Sequence, residues 1–179
     1  MSQPTVASKV ERLRAEFDNS FAVPARTLDS EVVELLAIGA GGRAYALRLS
    51  QASGVHPDRR IVPLPTSVRG LLGLAGFAGV VVPVYDLAAL LGHPLPERPR
   101  WLVMAAGTPP LALAFHELDH HVRVRAADVV DSAAGPEGQR GCLHGMVRLP
   151  DGNRPIIDVP ATRMLVHQLA GHQSEGAAT

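Results

Sequence analysis

Cysteine and lysine are nearly missing from this chain of 179 residues. Cys142 stands alone, so no internal disulfide can form, and a reducing cytoplasm is the expected compartment. Lys9 is the one lysine. The 17 basic residues are otherwise arginines, scattered along the chain and balanced by 17 acidic residues. That distribution lacks the basic stripe of a nucleic-acid binder and the polybasic patch of a membrane anchor. The N-terminus has no basic region followed by an apolar core and a small-residue cleavage site, so a secretory leader is not expected. Long apolar runs are missing too. Residues 70–85 form an uncharged run of 16, interrupted by Pro83 and four glycines. This falls short of the roughly 20 apolar residues of a membrane span and reads as core, so no direct membrane insertion is expected.

The chain does contain an internal duplication. Gly73, Pro83 and Asp86 recur 72 positions later as Gly145, Pro155 and Asp158, and in each copy two large apolar residues separate the Pro from the Asp. One offset without gaps predicts two related supersecondary units that complete one another. An apolar hairpin precedes each copy. Residues 32–38 and 45–49 flank a GAGGR turn, and residues 101–106 and 111–115 flank GTPP. Asp86 is a good N-cap for a short helix over residues 86–91, with Gly92 at its C′ position and Pro94 beyond. A second helix is expected from Pro160 to Leu169, stopped by Gly171.

The fold class implied is all-β, built as two small barrels with short helices. Residues 1–30 read as an N-terminal helix and linker, 31–170 as the domain, and 171–179 as a loose C-terminal tail. Gly70, Gly73, Gly76 and Gly79 recur every third residue and predict tight bends in a strand. An RNA-binding GxxG loop would need flanking helices and basic residues, and a phosphate loop would need a helix directly after the glycines.

Residues 116–120, His-Glu-Leu-Asp-His, match the zinc-hydrolase pattern HExxH, which works only on a helix. Here the flanking residues alternate as in strands. Positions four apart on a strand lie about 13 Å from each other, too far to share one metal, so a polar hairpin turn is the better reading and no metal is expected. His121, His144, His167 and His172 read as surface residues. No serine sits in a GxSxG elbow, and Cys142 with His144 is a weak nucleophile pair. Asp86 and Asp158 each have a sufficient role as helix caps. No catalytic residue and no cofactor is therefore expected.

Pro63-Leu64-Pro65, the glycine-rich strand, Val82-Pro83-Val84-Tyr85-Asp86-Leu87 and Leu91-Gly92 come in an order that resembles the CheW coupling proteins of bacterial chemotaxis. The resemblance extends over residues 32–169 and takes in FHELDHHVRV, Gly145-Met146 and Ile156-Ile157-Asp158. It implies two packed five-stranded barrels and no enzymatic activity. It also implies a scaffold between the tip of a methyl-accepting chemoreceptor and the regulatory domain of a histidine kinase, with recruitment to membrane receptor arrays. Ala78-Gly79 stands where the family has Arg-Gly, Gly76 where it has Asn, and His116 where it commonly has Asp. Loss of that arginine suggests, as the alternative, a degenerate module that binds one partner only. The candidate partner-binding residues are Leu72, Leu74, Phe77, Ala78 and Val80. Ala78 is placed by the resemblance on a strand edge.

Overall fold

The computed structural model describes residues 31–94, 98–131 and 141–176, with side chains to residue 171. The chain divides after Glu31 into two units, and all the described strands and helices lie in the second, Val32–Thr179. The helix expected within residues 1–30 lies outside the described residues.

Both predicted hairpins form. β1 (Val32–Ala40) turns into β2 (Arg43–Arg48) through Gly41 and Gly42, at φ 59° and 72°, the two positive angles that a two-residue turn of the right twist requires. β3 (Ala52–Pro57) comes after a single 3₁₀ turn. β4 (Leu71–Phe77) and β5 (Val80–Asp86) make the glycine-entered pair, and β6 (Trp101–Ala105) with β7 (Ala112–Phe115) makes the second predicted hairpin. β8 (Glu117–Arg125), β9 (Val129–Val130), β10 (Leu143–Leu149) and β11 (Gly152–Ile157) complete the strands.

The duplication is visible in the hydrogen bonds. Leu71 pairs with Tyr85 before a bulge, and Leu143 pairs with Ile157 before the equivalent bulge. Asp86 donates its N–H to the Gly70 carbonyl and Asp158 donates its own to Cys142, again 72 positions apart. The units exchange partners: β5 runs parallel to β7, and β11 runs parallel to β2. Each glycine-entered pair therefore joins the hairpin of the other half.

The result is two sheets, β8-β1-β2-β11-β10-β9 and β3-β6-β7-β5-β4. The described residues do not show closed five-stranded barrels. The first sheet has six strands in a half-barrel, and no ladder joins β8 to β9 or β3 to β4 among the described residues. The extra strand is β9, which is two residues long, too short to show a period in the sequence, and set apart from β8 by a 3₁₀ turn over residues 126–128. Each sheet keeps a small apolar cluster of its own, around Leu35, Val147 and Ile156 in the first and Phe77, Val82 and Leu102 in the second. A larger core between them combines Tyr45, Leu47 and Ile157 of the first sheet with Tyr85, Leu113 and Phe115 of the second.

Both helices start where the aspartates predict. α1 (Leu87–Leu90) is capped by Asp86, whose Oδ1 accepts from Ala89 N–H at 3.0 Å. It ends with Gly92 N–H on the Ala89 carbonyl and His93 N–H on the Ala88 carbonyl, with Gly92 at φ 78°. This bonding pattern closes a helix through a left-handed glycine. α2 (Val159–Gly176) is capped by Asp158 on Ala161 N–H at 3.1 Å, and Val159 and Val166 bury into the common core. It runs past Gly171, the expected stop and the expected start of a loose tail. Gly171 is not at positive φ and so does not act as a cap. An ordinary helical glycine costs about 1 kcal/mol relative to alanine, too little to end a helix anchored by its first three turns.

Candidate partner-binding site

The candidate residues lie on the β4–β5 hairpin at one end of the second sheet. Gly73 decides how that end is finished. Its φ is 142°, and a Cβ there would sit 2.0 Å from the Val62 carbonyl oxygen. Only a glycine lets the incoming chain approach so closely, and Val62 takes up two backbone hydrogen bonds with Leu74, both 2.8 Å. The otherwise open edge of β4 is thus covered at its middle and not at its tip.

At the tip, Ala78 and Gly79 are the two turn residues between Phe77 and Val80, with φ 46° and 84°. Ala78 is therefore on a turn and not on a strand edge as expected. It is exposed, and it holds a left-handed conformation that costs an alanine about 1–2 kcal/mol. Val80 is exposed. Leu72 and Leu74 are half-buried, and Leu72 packs on the cluster of the second sheet. Phe77 is only 7% exposed: its ring lies 4.9 Å from that of His56, and the Arg59 guanidinium sits 5.6 Å above it. Among the five candidates, Ala78 and Val80 are available to a partner and Phe77 supports them from beneath.

Three exposed apolar residues beside them were not among the candidates: Val62 (53%), Leu64 and Val81 (65%). The 72-residue offset could not have found Val62, because it lands on Ala134. In the structure the counterpart of Val62 is Val130 on β9, and a Cβ on Gly145 would meet the Val130 carbonyl at 2.7 Å. There Val130 and Met146 are exposed and flank a groove of about 300 Å³. The two sheets thus carry equivalent apolar edges.

The remaining candidates resolve into structural roles. His116 sits between β7 and β8, its N–H on the Gly39 carbonyl at 3.2 Å, and Glu117 to His120 continue as strand. The helical spacing that HExxH demands is absent from this segment. Asp119 accepts from Arg154 Nη1 at 2.6 Å, which commits it to an ion pair. Burial pushes the Asp86 carboxyl above the usual aspartate range, opposed by its hydrogen bond from Ala89 N–H and by His116. Burial likewise pushes the Cys142 thiol up, which makes a poorer nucleophile, and His144 is exposed. Tyr45 Oη and His93 Nε2 lie 2.6 Å apart at the end of α1, and burial, aided by Arg43, lowers the His93 pKa.

A family model for the CheW-like domain matches residues 34–165. The chain belongs to the CheW-like domain family. Among solved structures, the CheW-like unit is similar to the scaffolding protein TtCheW from Thermoanaerobacter tengcongensis, with a TM-score of 0.63 over 70% of this chain and 88% of that one. At 15% identity the likeness is one of fold. No curated protein sequence matches the chain significantly. The proline, glycine and aspartate motifs between Val62 and Asp158 all fall inside the matched CheW-like span.

Proposed function

We propose that this protein is a non-enzymatic adaptor of chemotaxis-type signalling that couples a chemoreceptor to a histidine kinase. Membership of the CheW-like family over residues 34–165 carries this reading. The paired apolar edges support it, since an adaptor needs two separate surfaces, and the duplication supplies one on each sheet. The first edge, with Ala78, Val80 and Val81 over Phe77 and the half-buried Leu72 and Leu74, is assigned to the regulatory domain of the kinase. The tip of a methyl-accepting chemoreceptor is the second partner, and no cofactor takes part. No helix among the described residues is long and apolar enough to cross a membrane. On this reading the protein works in the cytoplasm and reaches the membrane through receptor arrays.

Ala78 favours a second reading, in which kinase binding is weakened and the module engages the receptor alone. A long planar donor at a turn tip could bridge to carboxylates or carbonyls, and a methyl group cannot. Pull-down with the receptor tip and the kinase regulatory domain, offered separately, tests both. Retention of both partners supports the adaptor, retention of the receptor alone supports the degenerate module, and retention of neither overturns both.

A further inference from the structure

The corner where β3 and β6 begin their ladder is built a second time where β8 and β1 meet, and the two corners differ in charge. Pro57 opposite Trp101 in the one corresponds to Arg125 opposite Val32 in the other. At the β8 corner the arginines are neutralised: Arg123 pairs with Glu34 at 2.7 Å, Arg125 with Asp128 at 3.1 Å, and Arg48 with Asp131 at 2.7 Å. At the β3 corner, Asp58, Arg59, Arg60, Ile61, Arg98 and Arg100 line a groove of about 310 Å³. The one ion pair there among the described residues is Arg100 with Asp58, 3.4 Å long and with both side chains about two-thirds exposed. Such an exposed pair contributes little and exchanges readily for a better acceptor. No carboxylate of a described residue pairs with Arg59, Arg60 or Arg98. Counting Glu97 from the sequence, residues 58–60 and 97–100 hold four arginines against two acids.

The groove is also held in shape. Asp58 N–H bonds to the Arg100 carbonyl at 2.7 Å, joining the two arginine-bearing segments, and the ring of Phe77 fixes Arg59 from one side. With four arginines against two acids the groove keeps a surplus of positive charge that an anionic partner would offset, and guanidinium groups present forks that match carboxylates in two-point contacts. The lining has one apolar side chain beyond the ring of Pro99, half-buried Ile61, and so lacks the exposed apolar wedge a lipid surface would take up.

We propose that this groove binds a carboxylate-rich segment of a protein partner. The proposal does not rest on the adaptor reading, and the groove adjoins the β4–β5 hairpin through Arg59 over Phe77 without including Ala78, Val80 or Val81. The test is the fluorescence anisotropy of a labelled hexaglutamate peptide titrated with the full-length protein. A hexalysine peptide and vesicles containing phosphatidylserine serve as comparisons. The native protein should bind hexaglutamate and not hexalysine, more weakly as salt rises, because exposed charges are screened over about 8–10 Å at physiological ionic strength. Arg60→Glu with Arg98→Glu should weaken binding about tenfold or more, two exposed pairs at about 0.7 kcal/mol each before repulsion is counted. Arg60→Gln with Arg98→Gln, a milder change, should give a smaller loss with the melting temperature unchanged. Equal binding by native protein and both variants, no binding at all, or binding to anionic vesicles without binding to hexaglutamate would overturn the proposal.

Discussion

Gly73→Ala should be among the most damaging single-methyl additions in this molecule, and the structure says by how much. The new Cβ would meet the Val62 carbonyl oxygen at 2.0 Å and two further backbone atoms at 2.7 and 2.8 Å, so no side-chain rotation can relieve it. The backbone at φ 142° is a conformation that costs a non-glycine residue of order 1–3 kcal/mol. Relief of the clash requires residues 62 and 63 to move away, which breaks the two 2.8 Å hydrogen bonds between Val62 and Leu74 at about 1 kcal/mol net each. Together these give a loss of roughly 3–5 kcal/mol, or about 10 °C in melting temperature for a domain of this size. Gly145→Ala, the equivalent change in the other half, meets the Val130 carbonyl at 2.7 Å with φ 93° and should cost slightly less, roughly 2–4 kcal/mol. Gly76→Ala is the internal control. Its Cβ would meet nothing within 4 Å, its φ is not positive, and loss of unfolded-chain freedom should leave stability within about 1 kcal/mol of native. Urea denaturation of the three variants decides the matter. If Gly73→Ala unfolds at the native midpoint, or if Gly76→Ala is the worst of the three, the close approach of Val62 is not the reason glycine stands there.

Asp86→Asn keeps an oxygen to cap Ala89 and removes a buried charge, so it isolates the effect of ionisation. Because the folded carboxyl titrates above its unfolded value, its contribution is fully present below the unfolded pKa and is lost as pH rises through the folded one. The variant should therefore gain on the native protein between acid and neutral pH by urea midpoints, and a difference that stays flat or shrinks refutes the sign. Purified protein should carry no stoichiometric zinc by elemental analysis, since His116 to His120 continue into a strand; one zinc per chain, lost in His116→Ala, would contradict this. Ala78→Arg should fold normally, because residue 78 is exposed on a turn. It should bind the kinase regulatory domain about thirtyfold tighter if the guanidinium is desolvated there, some 2 kcal/mol. Equal affinities by calorimetry would place the kinase contact elsewhere.

What the residues themselves disclose is local. Asp86, Asp158 and Gly92 declare helix ends through side-chain and backbone chemistry that operates within four residues, and the GAGGR turn declares a hairpin in the same way. The 72-residue offset goes further and discloses that two units complete each other. It does not disclose that the units trade partners, because the parallel pairings of β5 with β7 and β11 with β2 depend on contacts far apart in sequence. β9 escapes notice because two residues carry no periodicity. At the candidate site, Val80 is legible as an apolar residue next to glycines. Phe77 is not, because its cover comes from His56 on β3 and from Arg59 just beyond that strand. Nothing about an alanine announces positive φ, so Ala78 looks like a strand residue; the glycine after it is the available sign of a two-residue turn.

The adaptor reading is tested most directly by sedimentation of three purified components: this protein, a soluble chemoreceptor tip fragment and the kinase regulatory domain. The account predicts a single species whose mass contains all three, formed only when this protein is present and lost when Val80 and Val81 are both changed to Asp. Receptor fragment and kinase domain that sediment separately from each other in its presence, each at its own mass, would contradict it.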